Sequence, residues 1–254
     1  MRFSNSYVVA FAFVVCLVCA LLVSAMAVAL KERQATNELV EQKLNVLRVA
    51  GLVPYGEKPK HEEVFAMFDK YIQPVVIDRR TGEVAKDINP AEFDQEKASK
   101  DPKTSKAAPK NAAQVARLPN HLQAYKFDAE GHAGLILPIH GKGLWSTLWG
   151  FISIGDDYQT IQGITYYSHG ETPGLGGEVD NPIWKAKWEG KQAYKDGEVA
   201  IHVVKGEAHD NYSVDGLSGA TMTSNGVTNM LKLWLGDMGY GKYLTRLREQ
   251  SQTS

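Results

Sequence analysis

The feature that most constrains this chain is an uncharged apolar run near its N-terminus, residues 7–30 (YVVAFAFVVCLVCALLVSAMAVAL). A helix rises about 1.5 Å per residue, so this run forms a helix of about 36 Å, longer than the roughly 30 Å hydrocarbon core of a bilayer. We therefore predict one transmembrane anchor at 7–30. A cleaved signal peptide is the alternative, because residues 24–27 (SAMA) are suited to a cleavage site.

Outside this run the composition is that of a soluble globular domain. Lys and Arg number 28 against 29 Asp and Glu, so the net charge of -1 excludes a broad basic face, and we predict no nucleic-acid partner. Both cysteines, Cys16 and Cys19, lie inside the apolar run as a C-x-x-C pair. The pair is interpreted as small apolar side chains in a lipid-facing helix, with a redox site as the alternative.

The pattern after the anchor predicts an α+β fold, with helices packed on an antiparallel or mixed sheet. Residues 31–118 are expected to form an N-terminal subregion of helix and strand with a lysine-rich loop at about 86–117, and residues 119–254 to form the second domain. We expect helices at 31–53, 62–71, 182–188 and 223–235, and strands at 75–78, 122–127, 133–138, 145–154, 160–167 and 199–205. The strands follow one another too closely for parallel crossovers, which favours antiparallel pairing.

The first segment with candidate chemistry is the glycine-rich loop 168–178 (SHGETPGLGGE), which follows a predicted strand. Closely spaced glycines indicate a sharply turning backbone or one that a ligand approaches closely. The loop fails the dinucleotide fingerprint, because Val179 stands where a third glycine is expected. It is therefore interpreted as either a structural turn or a loop that binds another ligand.

The second segment is 215–226 (DGLSGATMTSNG), which precedes apolar residues at helical spacing: Val227, Met230, Leu231, Trp234 and Leu235. The spacing predicts a helix, and the Ser and Thr residues before it are expected to supply N-cap hydroxyls. A helix N-terminus also offers free amides and a positive dipole end to a phosphate. The residues alone leave a simple cap and a phosphate site both open.

Residues 215–221 (DGLSGAT), with Thr223 and Ser224 after them, resemble the covalent flavin attachment motif of the FMN-binding domain family. Residues 171–176 (ETPGLG) resemble the second signature of that family, which lines the isoalloxazine ring. The resemblance implies an FMN cofactor that is esterified through its phosphate to Thr221. It also implies a separate Mg-dependent flavin transferase as a partner during maturation.

Three further segments, 143–146 (GLWS), 174–182 (GLGGEVDNP) and 234–239 (WLGDMG), resemble the C subunits of sodium-translocating NADH:quinone oxidoreductases. The G subunits of Rnf ferredoxin:NAD oxidoreductases share both flavin signatures and are the nearest alternative. The resemblance implies an electron-relaying flavoprotein subunit of a bacterial inner-membrane complex, with the other subunits as partners. The domain after the anchor is then expected in the periplasm and residues 1–6 in the cytoplasm.

The resemblance also assigns roles to individual residues. Gly219 and Ala220 would let the ribityl chain pass close to the backbone, and Asp215 would serve the attachment step or hold the turn. Contacts to phosphate or ribityl oxygens are expected from Ser218, Thr223 and Lys205. We expect Leu175 and Thr172 to pack on the flavin ring, with Trp145 at its edge, and Glu171 and Gly174 to offer polar contacts to the ring heteroatoms. No catalytic acid or base and no metal ligand is predicted.

Two hypotheses from other classes remain at the level of sequence. In the first, the chain is a membrane-anchored scaffold whose glycine loop and capped helix are purely structural, which predicts a colourless protein. In the second, Thr221 or Ser218 is the nucleophile of a hydrolase. The chain has no G-x-S-x-G elbow, which disfavours the hydrolase.

Overall fold

The structure, a computed structural model, describes residues 4–129 and 131–252, so the first three residues of the expected cytoplasmic N-terminus lie outside it. The chain divides into two compact units, residues 1–42 and 43–254. Helix α1 spans Asn5–Val49. Among the described residues it is the one helix long and apolar enough to cross a membrane. Its large apolar side chains between Tyr7 and Leu30 are exposed.

The second unit contains five further helices in the part of the chain that the structure describes. They are α2 His61–Tyr71, α3 Gln95–Lys100, α4 Pro182–Ala186, α5 Thr221–Leu235 and α6 Gly241–Gln252, with a 3-10 helix at Gly176–Asp180. The strands are β1 Ile72–Asp78, β2 Glu83–Val84, β3 Ser105–Ala107, β4 Arg117–Pro119, β5 His121–Ala129, β6 His132–Lys142, β7 Thr147–Gly155, β8 Ile161–Ser168, β9 Tyr194–Lys195, β10 Glu198–Val199, β11 His202–Val203 and β12 Ser213–Val214.

The central sheet has the strand order β2-β1-β5-β6-β7-β8. Every neighbouring pair in it is antiparallel. Because consecutive strands from β5 to β8 are joined by short turns, antiparallel pairing is the arrangement that their spacing allows. The predicted α+β class, with one N-terminal apolar helix before a sheet domain, is confirmed.

Helices cover both faces of this sheet. On one face, α5 lies across β6, and there the core contains Leu135, Leu137, Met230 and Trp234. On the other face, Phe68 of α2 contacts the ring of Tyr125 edge-on. The site described below lies at the end of the sheet where β6 and β7 are joined and where β8 ends.

Three features differ from the sequence expectations. β1 pairs with β5, so a strand of the expected N-terminal subregion lies inside the central sheet. The expected lysine-rich loop contains α3 and β3: buried Gln95 of α3 accepts from the backbone amide of Gln123, and β3 pairs with β4. The strand expected at 199–205 is divided into β10 and β11.

Candidate functional site

Helix α5 begins at Thr221, and Thr221 is exposed. The apolar face predicted from the helical spacing is buried along the whole helix. The helix lies very close to β6, since an added Cβ at Gly141 would lie 2.9 Å from the Cβ of Met230, and one at Gly226 would overlap the carbonyl oxygen of Lys142. Packing of α5 on β6 therefore fixes the direction in which the first turn of the helix points.

The first turn of α5 has no side-chain cap. The residue before it is Ala220, which offers no hydroxyl, so the expected Ser/Thr cap is wrong. The hydroxyl of Thr223 instead donates to Glu171, and that of Ser224 accepts from the amide of Leu217. Within the described residues, the amides of 221–223 make no hydrogen bond. This helix end therefore keeps its capacity to bind an anion.

The carboxylate of Glu171 joins three segments of the site. Its Oε2 accepts from the hydroxyl of Thr223 at 2.6 Å and from the amide of Leu144 at 3.1 Å. Its Oε1 accepts from the amides of Trp145 at 2.9 Å and Ser146 at 3.2 Å. Burial alone would raise the pKa of Glu171, but these four hydrogen bonds outweigh it and lower the pKa below its usual value. The side chain is therefore ionised at neutral pH.

Two glycines make room for this carboxylate. An added Cβ at Gly143 would lie 2.6 Å from Oε1 of Glu171. One at Gly176 would lie 2.5 Å from the hydroxyl of Thr223 and 2.7 Å from Oε2 of Glu171. The glycines of the two loops therefore serve close packing around Glu171, a requirement that the sequence pattern alone does not specify.

Apolar side chains surround the start of α5 and face solvent. The exposed fractions are 67% for Trp145, 60% for Met222 and 45% for Leu175. An added Cβ at Gly219, which has a positive φ of 70°, would lie 3.0 Å from Cδ2 of Leu175, so the two predicted signature segments contact each other. Met222 was not predicted from the sequence, because it lies off the buried face of α5. Exposed apolar groups in one region indicate a surface that binds something.

Asp215 is held by contacts on both carboxylate oxygens. It forms an ion pair with Lys187 and accepts from the amide of Ala208 at 2.8 Å. The ion pair and this amide lower the pKa of Asp215. Its carbonyl oxygen accepts from Nε1 of Trp184 at 2.8 Å. Asp215 thus holds the start of segment 215–221 against α4, and Lys187 and Trp184 are contributors that the local pattern did not reveal.

The remaining predicted residues lie around the same surface. Thr172, Gly174 and Ser218 are exposed. The carbonyl oxygen of Thr172 accepts from the amides of Leu175 and Gly177 and so closes the glycine loop. Lys205 is exposed, and its Cα lies 3.5 Å from an added Cβ at Gly216, next to the start of segment 215–221.

A chain of polar side chains lies behind the glycine loop. The amide of Glu171 donates to Nδ1 of His169, and Nε2 of His169 lies 2.7 Å from Asp180. Lys185, which is buried, contacts Asp180 and the hydroxyl of Thr165, both at 3.5 Å. Burial lowers the pKa of Lys185, and Asp180 opposes that shift. These polar side chains hold the backbone of the glycine loop in place.

Comparisons with known proteins agree with this geometry. Residues 143–236 match the FMN-binding domain family. The C subunit of the Na(+)-translocating NADH-quinone reductase of Yersinia pestis is 44% identical, over 93% of this chain and 90% of that protein. The protein of the same name from Pseudomonas aeruginosa is also 44% identical, over 94% of each chain.

Crystal structures similar to this chain include those of two C subunits. Shewanella oneidensis NqrC superposes with a TM-score of 0.75 at 34% identity, covering 82% of this chain and 97% of that one. The C subunit of the Na(+)-translocating NADH-quinone reductase from Parabacteroides distasonis superposes with a TM-score of 0.67 at 28% identity, covering 85% and 97%.

Proposed function

We propose that this chain carries FMN as a phosphoester on Thr221. The chain belongs to the NqrC family, whose members are the C subunits of Na(+)-translocating NADH-quinone reductases and are flavoproteins with an FMN-binding domain. The chain relays electrons between other subunits of the complex and has no NADH, quinone or sodium site of its own. The relatives favour this assignment over the Rnf alternative.

The observation that carries the proposal is the position of Thr221. Its side chain is exposed on the first residue of a helix that has no side-chain cap. A phosphate esterified to this hydroxyl would lie at the free amides of the first turn and at the positive end of the helix dipole. Gly219 and Ala220 leave the approach to this hydroxyl without bulk. The residues present therefore fit an FMN phosphate.

The exposed apolar groups fit the ring of the same cofactor. Trp145, Leu175 and Met222 offer apolar surface beside the tether, with Thr172 at the rim. Ser218 and Lys205 are free to approach the phosphate or the ribityl hydroxyls. FMN supplies the redox chemistry when bound, while these residues hold it and exclude water from its faces.

We further propose the topology that such a relay requires. Helix α1 anchors the chain in the bacterial inner membrane, and the domain that follows it faces the periplasm. A covalent tether is useful in that compartment, because a released cofactor is not readily replaced there. A flavin transferase attaches FMN to Thr221 during maturation, and Asp215 holds the acceptor segment for that step.

The test is in-gel ultraviolet fluorescence of the denatured full-length chain after co-expression with a flavin transferase. We expect a fluorescent wild-type band whose intact mass includes one FMN, and a dark Thr221→Ala band. Thr245→Ala, which removes an exposed threonine of α6, is the matched control and should stay fluorescent. A dark wild type, in cells where the transferase labels another acceptor, would overturn the proposal.

A further inference from the structure

We propose that Glu171 is a positioning residue that locks the Trp145 turn and the glycine loop onto the first turn of α5, and that it makes no contact with the flavin ring. The inference rests on the proposed function, since it concerns the same flavin site. It replaces the expectation that Glu171 contacts the ring heteroatoms with a role that the contacts of the carboxylate specify.

The first argument is saturation of the carboxylate. An ionised carboxylate has about four acceptor positions, and Glu171 uses four: the amides of Leu144, Trp145 and Ser146 and the hydroxyl of Thr223. The residue is 5% exposed. No acceptor position remains for an N–H group of a flavin, so the carboxylate acts through the segments it holds.

The second argument is what these segments carry. The amides belong to the turn that presents Trp145, and Glu171 itself begins the loop that presents Leu175. Thr223 lies two residues after Thr221 on α5. A single carboxylate therefore fixes the spacing between the tether and two apolar walls of the site.

The third argument is that only a carboxylate satisfies this set of donors. Glutamine has the same shape, but an NH₂ group would replace either Oε1 or Oε2. Each of these oxygens accepts from two donors, so two of the four hydrogen bonds would be lost or reversed. A buried backbone amide without an acceptor is strongly disfavoured. Glu171→Gln should therefore loosen the Trp145 turn while the backbone tract around Thr221 remains in place.

The first readout needs no flavin. Amide hydrogen exchange of the full-length protein, produced without the transferase, should be at least about tenfold faster for residues 144–146 in Glu171→Gln than in wild type. Thr223→Val, which removes one donor at constant shape, should give a smaller increase, and Thr223→Ser should restore wild-type exchange. Glu178→Gln changes another carboxylate of the same loop, one that contacts Asn181, and should leave exchange at 144–146 unchanged.

The second readout separates the amount of FMN attached from the position of the Trp145 indole against the flavin ring. Fluorescence of the denatured protein reports how much FMN is attached, whereas native fluorescence also reports quenching by an indole packed on the ring. We expect Glu171→Gln to keep its denatured fluorescence and to show a native fluorescence at least twofold higher per FMN. Thr223→Ser and Glu178→Gln should both match wild type.

The outcomes distinguish the two proposals. A wild type without attached FMN refutes the proposed function, while faster exchange at 144–146 in Glu171→Gln would still support the lock. Unchanged exchange together with unchanged native fluorescence in both Glu171→Gln and Thr223→Val refutes the lock. The lock is also refuted if Glu178→Gln changes both readouts as much as Glu171→Gln does.

Discussion

Replacing Gly226 with alanine tests how closely α5 packs against the end of β6. An added Cβ would overlap the carbonyl oxygen of Lys142 and would lie 3.2 Å from the Cα of Gly143. Both groups are backbone atoms, so neither can rotate away as a side chain would. The helix, which carries Thr221, must move for the substitution to be accommodated.

The magnitude follows from two opposing effects. Alanine is favoured over glycine inside a helix by about 1 kcal/mol. Overpacking a close contact costs about 1–3 kcal/mol, and contact with backbone argues for the upper end of that range. The net destabilisation of Gly226→Ala is therefore about 2 kcal/mol. For a chain of this size that corresponds to a melting temperature lower by about 4–8 °C.

The assay is thermal unfolding of the full-length protein in detergent, followed by near-ultraviolet circular dichroism. Asn225→Ala is the matched control, because Asn225 is exposed one position earlier in the same helix. Propensity alone should raise the stability of this control by a few tenths of a kcal/mol. If Gly226→Ala is as stable as Asn225→Ala, the close contact between α5 and β6 is refuted.

Two further predictions concern groups near the site. His140, which is buried, stacked on Trp149 and tilted against Trp234, has its pKa lowered to about 4 by burial. The unfolded chain binds the proton more readily than the folded protein does. The free energy of unfolding is therefore at its full value above pH 6.5 and falls by about 3 kcal/mol as the pH drops toward 4. Urea unfolding across that range should show a shallower pH dependence for His140→Phe, and equal slopes would contradict the burial argument. Asp215→Asn and Lys187→Met each break the ion pair that holds segment 215–221, so attached FMN per chain should fall severalfold while stability changes by less than about 1 kcal/mol. Lys195→Met is the control. Wild-type amounts of attached FMN in both Asp215→Asn and Lys187→Met would count against this role of Asp215.

Local periodicity was sufficient to predict much of this fold. The apolar run specifies α1 because no charge interrupts it, and the spacing of Val227, Met230 and Trp234 specifies which face of α5 is buried. The strands β5 to β8 follow from short apolar runs between turns. These features depend on neighbours in the chain, which a pattern along the sequence records.

The features that were not predicted depend on distant partners. β1 enters the central sheet through its register with β5, which no local pattern specifies. The contacts of Glu171 depend on a turn 25 to 27 residues earlier, and the hydroxyl of Thr223 donates to that carboxylate across 52 residues of sequence. Helix α6 was missed because few apolar residues mark its buried face, chiefly Tyr243 and Leu244.

The most direct test of the central proposal is to locate the flavin on the peptide chain. Full-length protein co-expressed with a flavin transferase would be digested, and the fluorescent peptide would be sequenced by tandem mass spectrometry. We predict one peptide containing residues 215–226, with the mass of FMN less water on the Thr221 fragment ions. FMN on Ser218 or Thr223, or a peptide from elsewhere in the chain, would contradict the assignment of Thr221 as the attachment residue.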